Sequence, residues 1–203
     1  MPTQAWIKAS GRPWYPGQTV ITGIGQGPLL VTPLQLADAV ATIANHGIRM
    51  RPEVVRGIVN PVTHHVRFRK PHAYPALPRR RKNSLKRLIR DMTQVVEGPR
   101  GTARGIAYDL PYKVAGKTGT AQLWSMVPGY KGRHIRSDAL FIAFAPVNHP
   151  RIAIAVVVEH AGFGALAAAP IARALMNFYL LGHVHVRPQN QSRPEIAQAR
   201  TTP

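Results

Sequence analysis

The strongest pattern of apolar and polar positions lies at residues 32–47 and predicts a helix. Thr32 suits the N-cap, Pro33 suits the first helical position, and Gln35 completes a Thr-x-x-Gln capping box. Polar side chains form one narrow stripe, and apolar side chains cover the rest of the circumference, which is typical of a buried helix. Residues 45–47 provide a C-cap. We therefore expect a buried helix that ends just before this segment.

A second helical pattern follows a proline-rich stretch, residues 48–82, which contains the extended piece "EVVRGIV" and ends in "RRRK". Asn83 or Ser84 can cap this helix, and residues 98–99 end it. Its apolar face comprises Leu85, Leu88, Ile89, Met92, Val95 and Val96, and its basic face comprises Lys86, Arg87 and Arg90. This spacing predicts a packed helix with one solvated face, and an amphipathic membrane-surface anchor is the alternative.

The remaining apolar patterns predict strands and one last helix. The segments "YKVAGKTGTAQL", "ALFIAFA" and "RIAIAVVV" are strand-like, and five residues separate the last two. Five residues can join antiparallel neighbours but cannot make a parallel crossover, so we expect a hairpin. A helix near residues 167–181 places on one face Ile171, Ala174, Leu175 and Phe178. Helices combined with an antiparallel sheet indicate an α+β domain.

The two ends of the chain carry weaker patterns. Residues 1–31 are rich in Gly, Pro and aromatic residues and predict loop with one short strand. The tail, residues 183–203, has little to bury and is expected to be disordered. The start lacks the cationic and apolar regions of a signal peptide, and the longest apolar run, residues 152–158, is far shorter than the roughly 18 residues of a membrane span. We expect no export signal or membrane anchor in this chain.

Composition adds a strong excess of positive charge. The 203 residues include 27 Lys and Arg against 8 Asp and Glu, a net charge of +19. This excess favours an anionic partner such as nucleic acid or an envelope polymer, although a solvated basic surface explains it equally well. Nucleic acid is disfavoured because aromatic residues are not interleaved with the basic run. The chain has no cysteine, and its histidines lack acidic partners at ligand spacing, so we expect no metal or cofactor.

The segment "VAGKTGTAQ", residues 114–122, contains the candidate chemistry. On a strand, Thr118 and Thr120 point to the same face, so their hydroxyl groups can bind the two oxygens of a carboxylate. Gly119 leaves room for a ligand backbone, and N–H groups of an exposed strand edge can bind substrate or stabilise an oxyanion. Lys117 adds a positive charge, but strict alternation places it on the other face. Taken alone, the Lys-Thr-Gly sequence also fits an exposed lysine that enters a turn.

Four ordered segments together resemble the penicillin-binding proteins, the serine D,D-transpeptidases related to β-lactamases. They are "GIGQG" with "TPLQLADAVATIANHG", then "GPRGTA", then "VAGKTGTAQ", and finally "ALFIAFAP". The sequences of these segments most resemble those of the class B enzymes of cell elongation. The class B enzymes of cell division are the alternative. The resemblance covers residues 1–182. It implies the C-terminal portion of a transpeptidase domain, with a partial serine β-lactamase/penicillin-binding fold whose N-terminal part is missing.

The resemblance also implies roles for the residues of the Lys-Thr-Gly-Thr segment. Lys117 and Thr120 would be catalytic: the lysine would polarise the serine of the family's second motif, and the N–H of Thr120 would form half of the oxyanion hole. Thr118, Gly119 and Thr120 would bind the terminal carboxylate of a D-Ala-D-Ala stem peptide or of a penicillin. The implied partners are the stem peptide, β-lactams and elongation-complex proteins. The implied location is the periplasmic face of the inner membrane.

The chain departs from the family pattern in the motifs that supply the nucleophile. The family's nucleophile is the serine of Ser-x-x-Lys, and the second motif is Ser-x-Asn or Ser-x-Asp. Neither motif includes any of the chain's serines, which are Ser10, Ser84, Ser125, Ser137 and Ser192. Both motifs normally precede "GIGQG", so we expect the nucleophile to belong to an N-terminal half outside this chain. A smaller departure is Asp138, which stands where relatives often have His.

Several interpretations of the chain's function therefore stay open. The first is a transpeptidase fragment that is not acylated on its own. The others are a basic module that binds nucleic acid or an anionic envelope polymer, and a non-functional remnant that does not fold. The segment "GIGQG" lacks the third glycine of a dinucleotide-binding turn and is interpreted as a structural loop.

Overall fold

The computed structural model describes residues 3–11, 13–76, 78, 82–122 and 137–184. Its helices are α1 (Gln4–Ser10), α2 (Pro16–Gly23), α3 (Pro33–Ala44), α4 (Lys82–Glu97) and α5 (Ala168–Leu181), with a short 3-10 helix at Arg104–Ile106. The strands are β1 (Gly57–Val59), β2 (Val66–Phe68), β3 (Ala115–Ala121), β4 (Asp138–Ala145) and β5 (Ile152–Val158). In the described residues these strands form a β1–β2 hairpin and a three-stranded sheet in the order β3-β4-β5. The predicted α+β class is confirmed.

The three-stranded sheet is antiparallel throughout and forms the centre of the fold. Strand β4 pairs with β3 on one side and with β5 on the other, so the predicted hairpin between the last two strands is confirmed. Alternation directs Phe141 and Phe144, both fully buried, to opposite faces of the sheet. Phe141 lies in a core cluster that includes residues of α5, whereas Phe144 packs with residues of α3 and α4. Helices therefore cover both faces of β4.

The structure confirms the predicted capping box at the start of helix α3. The hydroxyl of Thr32 accepts a hydrogen bond from the Gln35 N–H at 3.2 Å, and Gln35 Oε1 accepts one from the Thr32 N–H at 2.9 Å. The expectation that the helix is buried is wrong for the described structure, because only Val40 and Ala44 are buried and Leu34 is 65% exposed. The helix packs one face on β4 and β5, and its other apolar positions face away from the sheet.

Helix α4 follows the predicted amphipathic pattern. Met92 and Val96 are buried, and the basic positions are exposed. The helix begins at Lys82, so Asn83 and Ser84 lie inside it and do not cap it. It ends at Glu97, directly before the glycine and proline that predicted its end.

Helix α5 was placed correctly, but its buried face differs from the apolar face that the spacing indicated. The helix buries small side chains together with Met176, namely Ala168, Ala169 and Ala172. Ile171, Leu175 and Phe178 are 44–62% exposed. Alanine side chains allow the helix axis to approach the sheet closely, so the alanines and Met176, and not Ile171, Leu175 and Phe178, form the buried contact with the sheet.

Residues 1–31 differ most from the expectation of loop with one short strand, because α1 and α2 lie there. The Thr3 hydroxyl caps α1 by accepting a bond from the Trp6 N–H, and Gly11 ends the helix at a φ of 62°. Helix α2 begins with Pro16 and contains the β-branched run "TVIT", whose residue types favour a strand. Local end signals therefore outweighed β-propensity. The predicted disorder of the tail falls almost entirely on residues 185–203, outside the described residues.

Candidate functional site

The candidate site lies along the outer edge of β3, which pairs with a neighbouring strand only on its β4 side in the described structure. Thr118 is opposite Phe141, and Thr120 is opposite Ala139. The two threonine side chains therefore share a face, as predicted. Backbone groups alternate along an antiparallel strand, and the contact made by the Thr120 carbonyl lies on the outer side. The N–H and C=O groups of both threonines accordingly point away from β4.

Lys117 reaches this edge although alternation assigns its side chain to the opposite face. Its Nζ donates a hydrogen bond to the backbone carbonyl of Thr118 at 2.7 Å, so the long side chain curls around the strand. The side chain is exposed, and no carboxylate among the described residues lies within ion-pair distance of it. This part of β3 thus combines an ammonium group at the strand edge, with no anionic partner among the described residues, and two threonine hydroxyl groups on one face of the same strand.

Thr102 adds a third hydroxyl group that sequence reasoning did not identify. Its Oγ1 lies 3.1 Å from Oγ1 of Thr118. The turn that carries Thr102 follows α4 and needs glycine, because a Cβ at Gly101 would lie 2.3 Å from the Val95 carbonyl oxygen. In the sequence, the segment "GPRGTA" contributes to the family resemblance, and its two glycines are the signal that a tight turn lies there.

Gly119 has a packing role in addition to the ligand-binding role that the sequence predicts. A Cβ at this position would lie 3.1 Å from Leu140 Cβ, closer than most real contacts. A Cβ on Gly164 would lie 2.5 Å from the Gly119 carbonyl oxygen and 2.2 Å from that of Leu140. The two glycines thus bring the chain at Gly164 directly against the backbone of β3. Room for a ligand backbone at Gly119 stays a prediction.

Gln26, in the segment "GIGQG", contacts the same edge and was also missed. Its Nε2 donates to the Thr120 carbonyl at 2.8 Å, and its Oε1 accepts a longer bond, 3.4 Å, from the Gln122 N–H. The flanking Gly25 and Gly27 have φ values of 82° and 78°, a region that favours glycine. The two glycines therefore let the loop turn on both sides of Gln26 and direct its carboxamide to β3.

Asp138, the smaller departure from the family pattern, begins β4 opposite Ala121. Its Oδ1 accepts a hydrogen bond from the backbone N–H of His160 at 2.9 Å. This bond joins the start of β4 to the segment after β5. The carboxylate therefore has a structural role in the described part of the chain.

A sheet that carries Lys-Thr-Gly-Thr on an outer strand, with helices on both faces, fits the penicillin-binding transpeptidase class of fold. The family comparison agrees, since residues 2–177 match the model described as "Penicillin binding protein transpeptidase domain". This chain belongs to that family.

Named relatives support the resemblance to penicillin-binding protein 2. The chain is 35% identical over 187 residues to the peptidoglycan D,D-transpeptidase MrdA of Haemophilus influenzae, which covers 89% of this chain and 28% of the relative. It is similar to the structure of Pseudomonas aeruginosa PBP2, with a TM-score of 0.72 and 37% identity over 91% of this chain and 39% of that one. It is also similar to PBP2 in the PBP2–MreC complex of Helicobacter pylori, with a TM-score of 0.70 and 29% identity over 89% of this chain and 31% of that one.

These comparisons also measure how much of the relatives the chain represents. It spans about 28% of the length of the curated Haemophilus relative. No helix among the described residues is both long and apolar enough to cross a membrane.

Proposed function

We propose that the outer edge of β3 binds the terminal carboxylate of a D-Ala-D-Ala stem peptide in peptidoglycan D,D-transpeptidation. The observation that carries this proposal is that the Thr118 and Thr120 side chains share one face of β3, while the Lys117 ammonium, bonded to the Thr118 carbonyl, lies at the outer edge of the same strand. Two hydroxyl donors and a positive charge suit the two oxygens of a carboxylate. The membership of the family and the similarity to D,D-transpeptidases support the same assignment.

In the intact domain, an activated serine would attack the carbonyl between the two D-alanines. The carbon–nitrogen bond would break, the terminal D-alanine would leave, and an acyl-enzyme ester would form. The amine of a neighbouring stem peptide would then displace the serine and form the cross-link. In this scheme the N–H of Thr120, which points to the outer edge, stabilises the oxyanion, and Lys117 polarises the serine of the second motif.

Location and partners follow from the same proposal. The reaction uses envelope peptidoglycan, so we place the chain at the periplasmic face of the inner membrane. The PBP2 relative seen with MreC suggests a partner of that kind, and β-lactams are proposed ligands because they resemble the stem-peptide terminus.

Acyl transfer by this chain alone is not part of the proposal, because no Ser-x-x-Lys or Ser-x-Asn motif is present in its sequence. The purified 203-residue chain should therefore take up no covalent label from a fluorescent penicillin. A stoichiometric label that survives denaturation would contradict this assignment of the nucleophile.

Ligand-observed NMR with acetyl-D-Ala-D-Ala tests the binding edge itself. We expect saturation transfer to the terminal methyl group, and a strong decrease for the double variant Thr118→Val with Thr120→Val. The matched control is Thr93→Val, since the Thr93 hydroxyl donates only to the Ile89 carbonyl within α4. Transfer that is equal in all three proteins, or absent from the unmodified chain, would contradict carboxylate binding by this edge.

A further inference from the structure

The outer edge of β3 differs from an ordinary strand edge in how its carbonyl oxygens are paired. A bare edge presents N–H and C=O groups together, and the carbonyl oxygens repel a carboxylate. Here the outward carbonyl of Thr118 accepts from Lys117 Nζ at 2.7 Å, and that of Thr120 accepts from Gln26 Nε2 at 2.8 Å. The N–H groups of both threonines point to the same side. An approaching anion therefore meets donors, while each carbonyl oxygen already has a donor of its own.

Gln26 also holds the end of the strand. Its Oε1 accepts from the Gln122 N–H at 3.4 Å while its Nε2 donates to the Thr120 carbonyl, so one carboxamide bridges Thr120 near the end of β3 and the residue that follows the strand. Gln26 is half-buried, and the flanking Gly25 and Gly27 have positive φ angles that other residues rarely adopt. These features fix the carboxamide in place, which a freely rotating surface glutamine would not achieve.

We propose that Gln26 is a positioning residue that makes this edge selective for a charged carboxylate over a neutral carboxamide. It acts through the Thr120 carbonyl and the end of β3, and it does not itself touch the ligand. The inference rests on the proposed function, since it assumes that Thr118 and Thr120 bind the carboxylate end of the ligand.

Three variants separate this role from a general effect on folding. Gln26→Met keeps the length of the side chain but removes both hydrogen bonds. Gln26→Glu removes the donor to Thr120 and adds a negative charge beside the carboxylate. Gln35→Glu is the matched control, because it makes the same charge change within the α3 capping box, where glutamate serves as well as glutamine.

The experiment measures dissociation constants for acetyl-D-Ala-D-Ala and for its C-terminal carboxamide. The full chain is tethered at low density on a sensor surface. We expect the unmodified chain to prefer the acid. Gln26→Met should weaken binding of the acid by about tenfold and change binding of the carboxamide by no more than about twofold. The acid is affected more because the Thr120 carbonyl oxygen, without its donor, repels a negative charge. Gln26→Glu should weaken the acid further, and Gln35→Glu should change neither ligand.

Hydrogen exchange on the same variants reports the geometry without any ligand. The Gln122 amide should exchange faster in Gln26→Met than in the unmodified chain, because it loses its acceptor. Amides in the middle of β4 should not change, which shows that the variant has folded.

The outcomes distinguish this inference from the function on which it rests. Equal weakening of both ligands in Gln26→Met would indicate simple loosening of β3 and would overturn the selectivity role, as would unchanged binding of the acid. If the unmodified chain bound neither ligand, the proposed function itself would fail. A preference for the acid that persists in Gln26→Glu would overturn the role of Gln26 alone.

Discussion

The hydroxyl oxygens of Thr102 and Thr118 lie 3.1 Å apart, which joins the turn after α4 to the outer edge of β3. A hydroxyl group can donate one hydrogen bond while it accepts others. If Thr102 donates to Thr118, the proton of Thr118 stays directed to a ligand. Thr102 is then the residue that orients the predicted carboxylate donor.

Substitution of these two threonines should have graded effects on carboxylate binding. Thr118→Val should lower the affinity for acetyl-D-Ala-D-Ala by about tenfold, since it removes a direct donor to a charged group. Thr102→Val should lower it by only about two- to threefold, since it removes the orienting partner. Titration calorimetry checks both values. A larger effect from Thr102→Val than from Thr118→Val would contradict the orientation argument.

The α3 capping box predicts a measurable contribution to stability. Thr32→Ala should lower the free energy of unfolding by about 1 kcal/mol, because the Gln35 N–H at the helix start loses its acceptor. Urea denaturation followed by circular dichroism measures this change. Thr32→Ser is the control, since serine caps equally well, and a loss from Thr32→Ser as large as that from Thr32→Ala would count against the cap.

The contact between Gly164 and β3 predicts a strong effect of one added methyl group. Gly164→Ala should destabilise the chain by about 1–3 kcal/mol or shift β3, because the new Cβ would meet two backbone oxygens that cannot move independently. Gly17→Ala is the matched control: it lies in α2 with no atom within 4 Å of the new Cβ, so a slight gain in stability is expected. Thermal denaturation distinguishes the two, and equal melting temperatures would refute the contact.

Tyr112 predicts a loss of stability at alkaline pH. Burial raises the pKa of its hydroxyl above the usual 10.0, and the nearby Arg173 guanidinium partly offsets this. The hydroxyl also hydrogen-bonds to the buried Asn177 side chain. Because the unfolded chain releases this proton at lower pH than the folded chain, the stabilisation is complete below about pH 10 and decreases as the pH rises further.

Tyr112→Phe is the test of this pH dependence. The difference in unfolding free energy between the unmodified chain and the variant should shrink as the pH rises above about 10. Equilibrium denaturation at several pH values provides the measurement. A constant difference would show that Tyr112 ionises at its ordinary pKa, and a growing difference would show that folding lowers this pKa; either result would contradict the prediction.

Features set by neighbouring residues were predictable from the sequence. The α3 capping box lies within four consecutive residues, and the β4–β5 hairpin follows from a short connection between two apolar runs. In residues 16–23 two local signals disagreed, and the proline at the helix start outweighed the β-branched run. The buried face of α5 was missed because close approach to the sheet favours alanine over the larger residues that hydrophobic spacing emphasises.

The candidate site was predictable only in part, for a physical reason. Alternation along β3 was enough to place Thr118 and Thr120 on one face. The contact of Gln26 joins residues 94 positions apart, and that of Thr102 depends on how the turn after α4 meets the sheet. Spacing along the chain carries no information about such tertiary contacts.

The hydrogen bond from Lys117 to the Thr118 carbonyl uses only one of the three protons of the ammonium group. Rotation about the terminal carbon–nitrogen bond exchanges the protons, so the nitrogen keeps its position while two donors remain for an oxygen that arrives from any of several directions. A guanidinium group is a rigid planar fork and has no such rotor. Lysine therefore suits this position because its ammonium protons can rotate toward an incoming oxygen, and not only because it is positively charged. Arginine would keep the positive charge but could not redirect its N–H groups in this way.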